Sequence, residues 1–123
     1  MNRSQLIKQA KKARNFAKAQ YSNYQVGAAL LTEDDEVIYG CNIESKAYPT
    51  TMCAERVAIF SAISQGKIKF KSIAVVTKDG STPCGGCRQV MFEYAGDIPV
   101  HISDLDGNES TVQLIDLLPY PFV

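Results

Sequence analysis

The sequence carries no surplus charge of either sign. Thirteen basic side chains match thirteen acidic ones over 123 residues, and no segment gathers Lys and Arg into a stripe. A polynucleotide or an anionic membrane needs a concentrated positive face, so neither is expected as a partner. Long apolar runs are missing as well: nothing approaches the roughly 20 residues of a membrane span, and the opening MNRSQLIKQAKKARNFAKAQ is too polar for a signal peptide. The expectation is a cytoplasmic protein whose cysteines stay reduced. There is no internal repeat, linker or low-complexity stretch, and a chain of this length buries one core, so residues 1–123 are expected to form a single domain. Histidine occurs once, as His101 between Val100 and Ile102. A lone imidazole in a strand-like run is expected to pack or face water, although it could complete a Cys₃His structural zinc site.

What is present alternates between two periods. Leu6, Ala10, Ala13 and Ala17 recur at helical spacing, which predicts an amphipathic helix over 4–19. YQVGAALL (24–31) and VIYGCN (37–42), separated by the acidic TEDDE, read as a hairpin. A helix should begin near Cys53, capped by Thr50 or Thr51, and stop by Gly66; it is apolar on most sides, as a buried helix would be. SIAVVT (72–77) suits a strand covered on both faces. Pro83 suits the first turn of a helix from Cys84 to about Tyr94. PVHIS (99–103) is a strand, DLDGN a hairpin turn, ESTV its return, and QLIDLL a short final helix. Two successive crossovers in that order predict parallel neighbours within a mixed five-stranded sheet. Helices on both faces make this an α/β fold, a three-layer α-β-α sandwich.

Three of the four cysteines carry the chemistry. Cys53, Cys84 and Cys87 each fall at the start of a helix that follows a strand or its loop, and such helix starts lie along one edge of a sheet. Helix N-termini favour the thiolate. A cluster of soft thiolates in a reducing compartment selects zinc, and three protein ligands leave the fourth tetrahedral position to water, the pattern of a catalytic site. The Cys84-x-x-Cys87 pair alone reads equally as a redox couple, and a zinc-stabilised binding module without catalysis is a further alternative. Cys53-Ala54-Glu55 tips the reading to catalytic zinc, since Glu55 can contact a metal-activated water without ligating the metal. Three thiolates and one Zn²⁺ leave a net negative charge, which Arg56 and Arg88 could offset by donating to the sulfurs. Cys41 has no spacing partner and is expected to fill a small buried volume.

With CAERVAIF and PCGGCRQV in place, alongside YSNYQVGAALL, GCNIE and LLP, the chain resembles the small homotetrameric zinc-dependent cytidine deaminases from about Leu6 to Phe122. The resemblance implies a cytidine deaminase-like fold. It also implies one Zn²⁺ per chain, and hydrolysis of cytidine and deoxycytidine to the uracil nucleosides with release of ammonia, a step of pyrimidine salvage. Carried over residue by residue, it gives the metal to Cys53, Cys84 and Cys87, proton transfer to Glu55, and neutralisation of sulfur charge to Arg56. Substrate contacts fall to Asn42, Glu44, Tyr24, Ala54 and Phe122, with Asn42 and Glu44 on the sugar and Phe122 reaching a neighbouring subunit's site. Several positions depart from the pattern. Tyr24 stands where phenylalanine is usual, Gln20 replaces a proline, Ser45-Lys46 replaces Asn-Ala, and the longer tail after Phe122 is missing. A deaminase for a nucleoside antibiotic of the blasticidin S type shares the zinc motifs and is the nearest rival; the Asn42 and Glu44 pair favours an ordinary nucleoside.

Overall fold

A computed structural model describes residues 1–123. The first helix, α1 (Arg3–Arg14), opens on a reciprocal cap. Asn2 Oδ1 accepts from the Gln5 amide and Gln5 Oε1 accepts from the Asn2 amide, both at 2.9 Å, and three basic residues sit in the last turn. The helix is shorter than its periodicity predicts. Beyond Asn15 the backbone leaves the helix so that the Lys18 amide donates to Asn42 O and Lys18 O accepts from the Glu44 amide, each at 2.9 Å. Ala17 remains at the margin of the core.

Strands β1 (Gly27–Thr32) and β2 (Val37–Cys41) form the expected hairpin. Next come a short 3₁₀ turn, α2 (Ala54–Ser64), β3 (Phe70–Val76), α3 (Gly85–Ala95), β4 (Pro99–Ser103), β5 (Glu109–Gln113) and α4 (Leu114–Leu117). The sheet order is β2-β1-β3-β4-β5. Only β3 and β4 are parallel neighbours. The crossover through α2 does run in parallel from β2 to β3, but β1 lies between them and is antiparallel to both, so one of the two expected parallel pairings is absent.

The central strands show why the sheet is sandwiched. On β1, Ala28 and Leu30 face the core shared with α2, α3 and α4, while Ala29 and Leu31 face α1. On β3, Ile73 and Val75 face the first core and Ala74 and Val76 the second. This is the period-two alternation of a strand with both faces buried. Each fully buried Leu, Ile or Val contributes roughly 1.5–3 kcal/mol relative to exposure. Two glycines set how closely the helices approach: a Cβ at Gly27 would fall 2.0 Å from Ala10 O, and one at Gly40 would fall 2.1 Å from Ala54 O. Gly40 therefore lets the first turn of α2 rest directly on β2.

Candidate active site

Both helices that carry sulfur start on a cysteine. Cys53 is the N-cap of α2 and Cys84 the N-cap of α3, with Cys87 in the first turn of α3. The threonines expected to cap α2 serve elsewhere: Thr51 Oγ1 accepts from the Ser45 amide at 3.0 Å and Thr50 Oγ1 donates to Ala47 O at 2.7 Å. Pro83 sits just before the Cys84 cap instead of inside the first turn.

The three sulfurs lie within 4.8 Å of one another. Cys53 Sγ is 3.9 Å from Cys84 Sγ, which is 3.3 Å from Cys87 Sγ. Ligands about 2.3 Å from a tetrahedral zinc stand about 3.8 Å apart, so the spacing and the all-thiol donor set fit a zinc ion. Cys53 Sγ takes no hydrogen bond from the amides of α2. Its pKa is lowered to about 5, first by a hydrogen bond from Cys87 and then by Arg56, against the opposing effect of burial. The Cys87 thiol is pushed up by that same bond and by burial. Arg56 Nη2 donates to Cys53 Sγ at 3.1 Å, whereas Arg56 Nε is buried with no partner. Arg88 does not reach the sulfurs. Its Nε donates to Pro83 O at 2.7 Å, Nη1 to Leu117 O at 2.8 Å and Nη2 to Thr82 Oγ1 at 2.9 Å. The charge offset expected of two arginines falls to Arg56 alone. Gly85 and Gly86, between the paired sulfurs, are exposed, with nothing within 4 Å of where a Cβ would fall.

Glu55 is 4% exposed. Burial raises its pKa from 4.5 to about 7; its own backbone amide opposes the rise, the Cys53 charge adds to it and Arg56 opposes it. It lines a cavity of about 170 Å³ with Tyr24, Asn42, Cys53, Ala54 and Cys84. Of the residues singled out in the sequence, those six meet at one place, and Cys87 is buried behind them. Glu44 does not line this cavity. It borders a separate depression with Tyr21, Ser22 and Tyr48, where its carboxylate accepts from the Tyr21 amide at 2.9 Å, the Ser22 amide at 3.0 Å and the Ser22 hydroxyl. Asn42 Oδ1 accepts from the Val26 amide and Nδ2 donates to Tyr24 O, both at 2.8 Å, so the side chain stands in for a strand partner just before β1. Phe122 is 83% exposed, and its backbone exchanges two hydrogen bonds with the Gln89 side chain, at 3.1 and 3.2 Å.

Sequence reasoning missed Thr77, Ser81 and Thr82, which complete the cavity wall beside Val26 and Val75. The only signal was the hydroxyl-rich composition of TKDGSTP between strand and helix. Cys41 is half-buried, and burial raises its pKa; His101 binds Thr111 Oγ1 through Nδ1 at 2.8 Å and lies outside the sulfur cluster.

Comparison with known proteins identifies the family. Residues 1–101 match the family described as the cytidine and deoxycytidylate deaminase zinc-binding region. The chain is 46% identical to a cytidine deaminase of Sporosarcina psychrophila over 99% of this chain and 92% of that protein. The crystal structure of cytidine deaminase from Burkholderia pseudomallei superposes with a TM-score of 0.96 at 43% identity, covering 99% of this chain and all (100%) of that one. The cytidine deaminase of Mycobacterium tuberculosis gives 0.85 at 35% identity, covering 100% and 98%. With the family model matched over residues 1–101, relatives and solved structures alike over nearly the whole chain, and three sulfurs placed to hold one ion, the chain belongs to the cytidine and deoxycytidylate deaminase zinc-binding family and is a zinc-dependent hydrolase.

Proposed function

We propose that this chain hydrolyses cytidine and deoxycytidine to uridine and deoxyuridine with release of ammonia, in pyrimidine salvage. One observation carries the reading: a carboxyl poised near pH 7 lines a small cavity beside three converging sulfurs. Cys53, Cys84 and Cys87 would hold zinc, which supplies a Lewis acid that activates water as a nucleophile. Glu55 holds the proton taken from the attacking water and delivers it to N3 of the cytosine ring, leaving C4 open to attack. Once the hydroxide has added to C4, Glu55 carries the proton of the new C4 hydroxyl to the 4-amino nitrogen; the C4–N bond breaks, ammonia departs and the C4 carbonyl of the uracil ring remains. A carboxyl that titrates near neutrality can both accept and give at the working pH. Arg56 keeps Cys53 charged and offsets the surplus of thiolate.

Tyr24 and Ala54 form the wall against the base, and Asn42 and Glu44 bind the sugar. The bonds that fix them in the chain leave capacity to spare: the Asn42 amide keeps one donor and one acceptor site, and the Glu44 carboxylate one further acceptor site. We read the whole chain, 1–123, as one domain of a cytoplasmic homotetramer, with Phe122 closing a neighbour's cavity. Supporting this, α2 leaves Phe60 and Ile63 each 39% exposed on an apolar helix, and the Phe122 side chain is largely exposed in its own subunit. No helix is long and apolar enough to cross a membrane.

The test is purified protein with cytidine, followed by the fall in ultraviolet absorbance, alongside metal analysis. About one zinc per chain is expected, and Glu55→Gln should keep the metal yet lose roughly 10²–10⁴-fold in turnover. Iron in place of zinc, or a Glu55→Gln protein that sheds its metal, would contradict the assignment.

A further inference from the structure

Part of the cavity wall comes from two segments that leave the sheet at the end of a ladder. β1 and β3 pair as far as Gly27 opposite Val76. Beyond that point Tyr24 and Val26 on the first segment and Thr77, Ser81, Thr82 and Cys84 on the second all line the cavity. A single hydrogen bond joins the two segments: Tyr24 Oη donates to Asp79 Oδ1 at 2.5 Å. The same oxygen accepts from Ser81 Oγ at 2.8 Å and Thr77 Oγ1 at 3.1 Å, and the Ser81 amide in turn donates to Thr77 Oγ1 at 3.0 Å. One carboxylate oxygen thus gathers Tyr24 and two of the three serine and threonine residues that line the cavity, Thr77 and Ser81. Lys78 Nζ stands 5.5 Å from the centre of the same ring.

We infer that Tyr24 and Asp79 form a latch across the mouth of the cavity, and that Asp79 is a positioning residue that fixes the Tyr24 ring for substrate binding. The inference rests on the proposed nucleoside deamination for its kinetic consequences, but the latch itself is a property of the chain. A phenylalanine at position 24 could pack in the same place and could not make the bond, so the hydroxyl that departs from the family pattern has a partner here. The Tyr24, Ser81 and Thr77 hydroxyls lower the Asp79 pKa from its ordinary 3.8 to about 2, so the carboxylate stays ionised well below neutral pH and neutral pH does not open the latch. Its effect falls on binding, because the proton transfers at N3 and at the 4-amino nitrogen belong to Glu55.

The experiment uses the zinc-loaded full chain, with cytidine kinetics and backbone hydrogen exchange read by mass spectrometry. Tyr24→Phe should raise KM about three- to tenfold while kcat stays within about twofold, the effect of one lost hydrogen bond at a binding wall. Exchange across residues 77–82 should speed up, although the substitution lies in the opposite segment. In an Asp79→Ala background, Tyr24→Phe should add nothing further to either readout, whereas Asp79→Asn, which keeps an acceptor, should fall between wild type and Asp79→Ala. Unchanged KM and exchange in Tyr24→Phe, or an equal cost with and without Asp79, would overturn the latch. A wild-type protein inactive on cytidine would overturn the proposed function instead, and the exchange comparison would still decide the latch.

Discussion

Arg88 Nη1 donates to the main-chain oxygen of Leu117 at 2.8 Å, so the residue that follows the third sulfur holds the last helix of the chain. Its other two bonds fix Thr82 and Pro83, the residues leading into Cys84. Arg88→Met should therefore loosen a metal ligand without touching it. Hydrogen bonds from a charged donor contribute about 1.5–3 kcal/mol each, and partial rescue by water should leave a net loss of about 2 kcal/mol in unfolding free energy. Transfer of zinc to a colorimetric chelator should be faster than in wild type. Equal transfer rates would mean that the cap of α3 holds Cys84 unaided.

Glu55 makes stability depend on pH in the metal-free protein. Its folded-state pKa, about 7, lies above the ordinary 4.5. The folded chain therefore binds this proton more tightly than the unfolded chain. The resulting stabilisation is complete below about pH 4.5 and is lost as pH rises through about 7. Glu55→Gln cannot lose it. Urea unfolding in the presence of a chelator should show the variant gaining on wild type between about pH 5 and about pH 8, by up to about 3 kcal/mol. A constant difference across that window would mean the carboxyl is not buried as described.

Gly40→Ala should disturb the site from the far side of α2. The new methyl would meet Ala54 O at 2.1 Å and Ala58 N at 2.7 Å, both backbone atoms that cannot swing aside. Overpacking of this kind costs about 1–3 kcal/mol. Because the helix must retreat at the turn next to Cys53, zinc affinity should fall along with the melting temperature. A variant that melts lower yet holds zinc as tightly would show that Cys53 follows the sulfur cluster and not the helix.

Removing residues 120–123 tests the tail. The deleted stretch includes Phe122, whose backbone is tied to Gln89. Zinc content should be unchanged and KM for cytidine should rise, with light scattering reporting the assembly state. Full activity in a monomer would mean each subunit builds its own pocket.

How much of this was legible along the chain depended on whether the deciding interaction was local. The fully buried strand at 72–77 and the convergence of Cys53, Cys84 and Cys87 followed from residue type and spacing, because helix starts after strands gather at one sheet edge. The insertion of β1 between β2 and β3 was not legible, since a hairpin can lie on either side of the strand it precedes. Nor was the divergence of the two arginines. Arg56 and Arg88 both sit near a cysteine, yet one reaches Cys53 Sγ while the other turns to carbonyls at Pro83 and Leu117. A long side chain's target depends on what the tertiary fold brings within reach. The same applies to Asn42 and Glu44, whose bonds to the backbone of 21–26 come from residues distant in sequence.

The open space at Gly86 has a practical use in spectroscopy. The chain contains no tryptophan, so its native emission comes from tyrosine alone. Gly86 is exposed, its backbone angle is not in the left-handed region, and nothing stands within 4 Å of a would-be Cβ. An indole introduced by Gly86→Trp would be the sole one in the subunit, one residue from Cys87 in the chain, and would give an optical probe of metal loading at the turn that carries two of the three sulfurs.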